Sequence, residues 1–480
     1  MNLLVNVFLS SITLLQLASC SSADDTPSTP PVVEEEFVTL PVGNSTPVSN
    51  DNRVIYELNL YDFTKEGTFD AATKRLESLK SLGVDIVWLM PVHQRGVTDK
   101  CGTLGSPYAS KDYYSVNSDF GTIDNMKAFV DKAHSLGIRV WLDWVANHTS
   151  TDAVWTTEHP EYYTKSNGNF VHPNDYPDVY QLAMESETVQ NAMIEAMRYW
   201  IMNADIDGFR CDYISSPHIP SAFWQRAIPA LKQAKPGKEI TFLGESDFTD
   251  VTRLYGSGFD YDYAWGFNSK LQKAASLSDV TTLKSDCMAL VGDTRYQTSL
   301  DRMIYLTNHD LNAYSGTEFT LFKNNVYPLT VLSFTLYGMP LLYNGQEIGY
   351  NSQMSIFERA PIEWNSVNSK MNNTIRTLCA LKHTQKALSN GESRGSVKFL
   401  TCDKSSILAY VRKSGNNEVL VILNMGGATT VKINAVTPGN YISWIDSDNI
   451  SKEIKGKKIT ISADSKFTLG NNGYKVFVLN

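Results

Sequence analysis

Positive charge is in short supply in this chain. Its 480 residues carry 42 Lys and Arg against 51 Asp and Glu, a formal net charge of −9 at pH 7. Without a basic excess there is no electrostatic footprint for a polyanion, which excludes a nucleic-acid partner. Cysteine is scarce as well: six in all, and the five beyond residue 20, Cys101, Cys211, Cys287, Cys379 and Cys402, contain no Cys-x-x-Cys pair. Neither a disulfide framework nor a zinc site is indicated. Past the first eighteen residues, no run approaches the roughly 18 apolar residues that span a bilayer.

The start of the chain reads as targeting. Leu3 to Ala18 is almost wholly apolar, though no Lys or Arg precedes it, and it ends in Leu17-Ala18-Ser19-Cys20. This resembles a bacterial lipoprotein signal, in which cleavage before Cys20 frees the thiol for lipid attachment. Ser21-Ser22-Ala23-Asp24-Asp25 is similar to the acidic signal that sends some Gram-negative lipoproteins to the outer cell face. The expectation is an exported protein, lipid-anchored at the outer membrane or cell surface, with residues 1–20 as signal. Residues 21–50 are rich in Ser, Thr, Pro, Val and acids without a helical or strand period, and read as a flexible tether.

The rest is too long for one compact core and suits a large domain with a smaller module. From about residue 53 to 350 one pattern recurs: an amphipathic helix, a Gly near its end, a short apolar strand, then polar residues. Leu76, Leu79 and Leu82 lead to Gly83 and a strand from Val84 to Met90. Met126, Phe129, Val130, Ala133 and Leu136 lead to Gly137 and Ile138 to Leu142. Val189, Met193, Ala196, Met197, Trp200 and Ile201 lead to Gly208-Phe209-Arg210. Such repeats mean a mostly parallel sheet buried on both faces, either a closed barrel or an open doubly wound sheet. After about 390 the period changes to two, in Ile407 to Val411, Val419 to Asn424, Val431 to Ile433, Ile459 to Ile461 and Tyr474 to Leu479, which predicts an antiparallel β-domain. Between Asn147 and about Asp178 lies a long stretch without period, and long loops inside compact domains are usually functional.

Four charged segments follow apolar strands: Asp143-Trp144-Val145-Ala146-Asn147-His148, Gly208-Phe209-Arg210-Cys211-Asp212, Phe242-Leu243-Gly244-Glu245-Ser246 and Leu306-Thr307-Asn308-His309-Asp310. Each would project from the carboxyl end of the sheet, where barrel active sites lie, and their spacing fits strands four, five and seven for the last three. Carboxylates converging on one rim repel each other and raise at least one pKa, which keeps one carboxyl protonated near neutrality. That is the requirement of glycoside cleavage with retention, where a nucleophile and an acid/base stand about 5 Å apart. The 11% aromatic content agrees, because pyranose faces stack on aromatic rings.

These segments resemble the signature regions of the α-amylase superfamily, glycoside hydrolase family thirteen. Gly83-Val84-Asp85-Ile86-Val87-Trp88-Leu89-Met90-Pro91-Val92 and Gly338-Met339-Pro340-Leu341-Leu342-Tyr343-Asn344-Gly345-Gln346-Glu347 agree with strands two and eight. The resemblance spans roughly residues 53 to 480. It implies a (β/α)8 TIM barrel over 51–385, a small domain inserted after strand three at about 147–185, and a C-terminal antiparallel β-sandwich over 386–480.

By the same resemblance Asp212 is the nucleophile, Glu245 the general acid/base, and Asp310 the carboxylate that stabilises the transition state. His148 and His309 hydrogen-bond the sugar, Tyr108 is the aromatic platform beneath it, and Arg210, grouped with these substrate residues, keeps Asp212 ionised. Asp143 orients the site. Asn147 and Asp178 are the residues implied for a structural Ca2+. One departure stands out: the family often carries Lys-His at the third and fourth residues after the nucleophile, and here Ser215 and Ser216 stand there. The expected activity is hydrolysis of α-1,4-glucosidic bonds of starch or maltooligosaccharides by a monomer. The alternatives are a cyclomaltodextrinase or neopullulanase, an α-glucosidase, a transglycosylase, and a non-catalytic starch-binding surface protein.

Overall fold

In the computed structural model the described residues are 36–480 apart from 42, 44, 247–253, 255, 297–299 and 451–454. The signal, Cys20 and the tether up to residue 35 lie outside them. Eight parallel strands close into a barrel: β1 (Ile55–Leu58), β2 (Ile86–Leu89), β3 (Arg139–Trp144), β4 (Gly208–Cys211), β5 (Thr241–Gly244), β6 (Tyr261–Tyr263), β7 (Asp301–Ile304) and β8 (Met339–Tyr343). The pairing of Leu341 on β8 with Ile55 on β1 closes the ring and excludes the open doubly wound sheet.

Strand periodicity divides the barrel's side chains into two cores. Ile55, Ile86, Trp88, Trp141, Leu243, Tyr261, Met303 and Met339 fill the interior. Their neighbours Val87, Leu89, Val140, Leu142, Phe209, Phe242 and Ile304 face outward, onto Leu76, Leu79, Phe129, Val130, Met193 and Trp200 of the surrounding helices. The helix Leu76–Leu82 ends at Gly83 with φ +109, where the backbone N–H reaches back to Leu79 O. That left-handed stop is the one glycine supplies at least cost.

After β3 the chain leaves the barrel and returns at the helix Glu187–Asn203. In between, His148–Ser150 pairs antiparallel with Val179–Gln181, with a small hairpin of Lys165–Ser166 and Asn169–Phe170 above. At the other end, a seven-stranded antiparallel sheet and a three-stranded sheet share a core of Ala409, Leu420, Ile422, Val431, Ile433, Tyr441, Phe467 and Phe477. Alternate residues of the larger sheet, Leu408, Tyr410, Val421 and Val476, pack on the barrel side.

Part of the stretch read as tether is packed. Phe37–Thr39 forms an edge strand on the larger C-terminal sheet, Phe37 opposite Lys457 and Thr39 opposite Lys455, and Leu40 is buried. Three residues are too few to display a period, so no pattern in the sequence marks the strand. A β-branched and aromatic triplet fits the pleated edge once the sheet is there. Among the described residues no helix is long and apolar enough to cross a membrane.

Candidate functional site

Register and alternation bring the charged residues together. On β4, Phe209 and Cys211 face the helices, so Arg210 and Asp212 face the barrel axis two residues apart. Arg210 lies opposite Asp143 on β3 and Leu243 on β5, and Glu245 continues β5 with its N–H on Cys211 O at 2.9 Å. The guanidinium therefore sits among three carboxyls. Arg210 Nη1 donates to Asp143 Oδ1 at 2.9 Å and to Asp212 Oδ1 at 2.8 Å, and Nε donates to the Tyr263 hydroxyl at 3.1 Å. Nη2 lies 2.8 Å from Glu245 Oε2 as an ion pair, without the alignment of a hydrogen bond. The rings of Trp88 and Tyr263 stand 5.2 and 5.4 Å from the cation.

Burial and mutual repulsion set the protonation. Glu245 is raised to about 7 by burial, opposed by Arg210 and reinforced by Asp212 and Asp310. Asp212 is raised to about 6 by burial, which the Arg210 cation offsets only in part and Asp143 adds to. Of Asp212 and Glu245, Glu245 holds its proton to the higher pH.

Opposite them, Asn308 caps the helix His309–Tyr314 by accepting from Leu311 N–H at 2.9 Å, and the helix presents His309 and Asp310. His309 Nδ1 is bonded to Glu57 of β1, and Nε2 lies 2.6 Å from the Tyr108 hydroxyl and 3.4 Å from Asp310 Oδ1. Burial disfavours the imidazolium, but Asp310 and Glu57 outweigh it and raise His309 to about 9. With both ring nitrogens donating, the Tyr108 hydroxyl accepts from His309 and donates to Asp143 Oδ2 at 3.1 Å. His148 is lowered to about 4 by burial and stays neutral.

A cavity of about 360 Å3 opens over this cluster. Asp212, Glu245, Asp310, Tyr108, His148 and His309 all line it, so six of the seven residues read as catalytic or substrate-binding meet in one cleft. Arg210 does not reach it. The side chain is completely buried beneath the carboxyls, so it acts on them rather than on a ligand.

Asn147 and Asp178, the residues implied for Ca2+, both line this cleft but stand at opposite ends of the ladder in the inserted segment. Asn147 Oδ1 accepts from Ser216 Oγ at 2.7 Å, so its oxygen already has a protein donor. The antiparallel pairing sets Gln181 opposite His148 and Val179 opposite Ser150, with Leu182 N–H on Asn147 O and Thr151 N–H on Asp178 O. The two residues thus flank opposite ends of the ladder, four positions or roughly 13 Å apart, whereas Ca2+ ligands stand about 2.4 Å from the ion. Asp178 stands beside the Cys101 thiol, whose pKa burial and this carboxyl raise. Among the described residues no group of three or more His, Cys, Asp or Glu side chains is placed to hold a metal.

Two contributors were missed from the sequence. Glu57 is a buried acid at an inward position of an otherwise apolar strand, and that mismatch was the available signal. Tyr213, beside Asp212, donates its backbone N–H to Glu245 Oε2 at 3.0 Å and lines the cleft. Backbone geometry of that kind leaves no sequence trace.

Comparison with known proteins gives consistent likenesses. Residues 45–178 and 167–399 match the family described as alpha amylase, catalytic domain, and residues 401–480 the one described as alpha amylase, C-terminal all-beta domain. Among relatives, alpha-amylase MalA of Haloarcula japonica is 27% identical over 453 residues, covering 87% of this chain and 62% of that protein. A cyclomaltodextrinase of a Bacillus species is 26% identical over 387 residues, covering 75% of this chain and 65% of that one. The chain thus spans less than two thirds of the length of these two relatives. Among solved structures, a noncanonic maltogenic alpha-amylase AmyB from Thermotoga neapolitana superposes with a TM-score of 0.74 at 27% identity, covering 90% of this chain and 100% of that one.

Proposed function

The chain belongs to the α-amylase family, and from that premise we propose that it is a retaining glycoside hydrolase acting on α-1,4-glucosidic bonds of starch or maltooligosaccharides. The observation that carries this reading is the pairing of Asp212 and Glu245 on adjacent nitrogens of one buried guanidinium, with Glu245 raised to about 7. Two carboxyls held side by side suit double displacement, where inversion needs room for a water between them.

In the first step Asp212 attacks the anomeric carbon as Glu245 gives its proton to the departing glycosidic oxygen, leaving a glycosyl ester on Asp212 and a free hydroxyl on the leaving sugar. In the second, Glu245 takes a proton from water, and the resulting hydroxide displaces Asp212 with the original anomeric configuration. Asp310 and the His309 imidazolium line the other wall, a negative charge to balance the oxocarbenium-like centre and a donor for a sugar hydroxyl. Glu57 and Asp310 keep that donor charged. Lipid attachment through Cys20 belongs to the same proposal and rests on the sequence of the signal. A monomer would suffice, since every group used comes from one chain.

The test is the product profile on soluble starch, maltotriose, pullulan and cyclodextrins, with the released anomer followed by NMR. Internal cleavage of starch with α-anomeric products supports the proposal. Preferential maltose release from cyclodextrins would move the assignment to a cyclomaltodextrinase, transfer products in place of hydrolysis to a transglycosylase, and binding without turnover to a non-catalytic protein.

A further inference from the structure

Glu245 stands one residue beyond its strand. The register of β5 on β6 runs from Leu243 opposite Tyr261 to Gly244 opposite Asp262 and ends there, so the acid/base carboxyl is carried past the last paired position. On the β4 side the main chain holds it: Glu245 N–H is on Cys211 O at 2.9 Å, and Ile214 N–H is on Glu245 O at 3.1 Å. On the β6 side the hold passes to a side chain, that of the next residue, Ser246.

Alternation gives that hold its direction. Leu243 and Glu245 face the barrel axis, so Gly244 and Ser246 face outward; on β6, Tyr261 and Tyr263 face in and Asp262 faces out. Ser246 and Asp262, both buried, therefore meet behind the barrel wall, where Ser246 Oγ donates to Asp262 Oδ1. Asp262 Oδ2 accepts from the Tyr296 hydroxyl, and the Arg302 guanidinium lies 3.4 Å from the centre of the Tyr296 ring. A buried carboxyl with a donor on each oxygen is a rigid anchor, because leaving either bond unmade strands a buried polar group.

What the anchor governs is the aim of Glu245. A general acid works only with its proton within hydrogen-bond reach of the departing oxygen, and a misplacement of about 1 Å can cost roughly 10²-fold. We infer that Ser246 and Asp262 are positioning residues for the acid/base: the bond between them ties the end of β5 to β6 and so holds the Glu245 carboxyl at the leaving oxygen. Neither residue meets the substrate, since both lie on the far side of the strands from the cleft. This rests on the reading of Glu245 as the acid.

The experiment compares wild type, Ser246→Ala and Ser246→Thr on maltotetraose, whose leaving sugar needs a proton, and on α-maltosyl fluoride, whose leaving group departs with little acid help. Ser246→Thr keeps the hydroxyl, and Ser246 lines a cavity of about 580 Å3 with room for the added methyl. The ratio of kcat/KM for the two substrates, taken on one preparation, cancels any difference in folded fraction and reports the first step alone. In Ser246→Ala the ratio of maltotetraose to fluoride should fall about tenfold, part of the roughly 10²- to 10⁴-fold that acid help supplies, and in Ser246→Thr it should stay within about threefold. Asp262→Ala should lower the ratio as Ser246→Ala does, and the double variant no further, because both remove one bond. An unchanged ratio in Ser246→Ala, even with both rates reduced together, or an equal fall in Ser246→Thr, would overturn the positioning role while leaving the proposed hydrolase intact. A wild type inert on both substrates would overturn the proposed function, and this inference with it.

Discussion

His309 Nδ1 is bonded to Glu57, a carboxyl buried in the first barrel strand, and the pair lies behind the face that His309 turns to the cleft. With Asp310, Glu57 raises His309 to about 9 against the effect of burial. Glu57 is therefore expected to be a positioning residue. Glu57→Gln should lower the titration midpoint of the His309 ring, read by NMR, and reduce kcat/KM by about 10- to 100-fold, the worth of a charge-assisted hydrogen bond. A loss of activity with the midpoint unmoved would separate the two.

The raised carboxyls predict a narrow pH range. Below about 6, Asp212 gains a proton and ceases to be a nucleophile, and above about 7, Glu245 loses the proton that the leaving oxygen needs. A bell-shaped kcat/KM profile should follow, with limbs near those values belonging to the coupled set rather than to single residues. A flat profile between pH 5 and 9 would contradict it.

The same burial has a cost for the fold. Because folding raises Glu245 from its ordinary 4.5 to about 7, the folded state binds the proton more tightly than the unfolded chain. Its contribution to stability is fully present below about 4.5 and is lost as pH rises through 7. Glu245→Gln removes that loss, so at pH 8 the variant should be more stable than wild type by about 3 kcal/mol, with little difference at pH 4. Urea unfolding at the two pH values checks this.

Arg210 has the opposite role. Arg210→Met leaves Asp143, Asp212 and Glu245 buried without their cation, and removing one partner of a buried ion pair costs about 3–5 kcal/mol. Thermal melts at pH 7.5 should show that loss, and it should shrink toward pH 5 as the carboxyls protonate.

Sequence and structure agree where the signal is local and repeated. The αβ rhythm yields the barrel strands, and the four charged tips yield the cleft, because an apolar strand ending in a carboxyl has few other ways to be arranged. Closure of the sheet rests on the pairing of Ile55 with Leu341, which no local pattern encodes. Arg210 was grouped with the substrate residues, with its part expected to be keeping Asp212 ionised from two residues away. Strand alternation puts it on the same face but one layer deeper. Asn147 and Asp178 were named through the family resemblance, and they line one cleft from opposite ends of the ladder. Tyr213 reveals itself only through its backbone N–H on Glu245 and its place in the cleft.

At the front of the chain, Cys20→Ser should release the protein from membrane fractions to the soluble fraction of exported proteins. Wild-type protein found soluble after export would contradict the lipid anchor and leave the catalytic account untouched.

The central claim is the division of labour between Asp212 and Glu245, and trapping the intermediate tests it most directly. Glu245→Gln given α-glucosyl fluoride retains the first step, since fluoride departs with little acid help, and loses the base for the second. General base assistance of about 10²- to 10⁴-fold is enough for the glycosyl ester to accumulate. Mass spectrometry of the digested protein should find the sugar on the peptide containing Asp212. A sugar on the peptide containing Asp310, or release of the inverted anomer by wild type, would contradict the account.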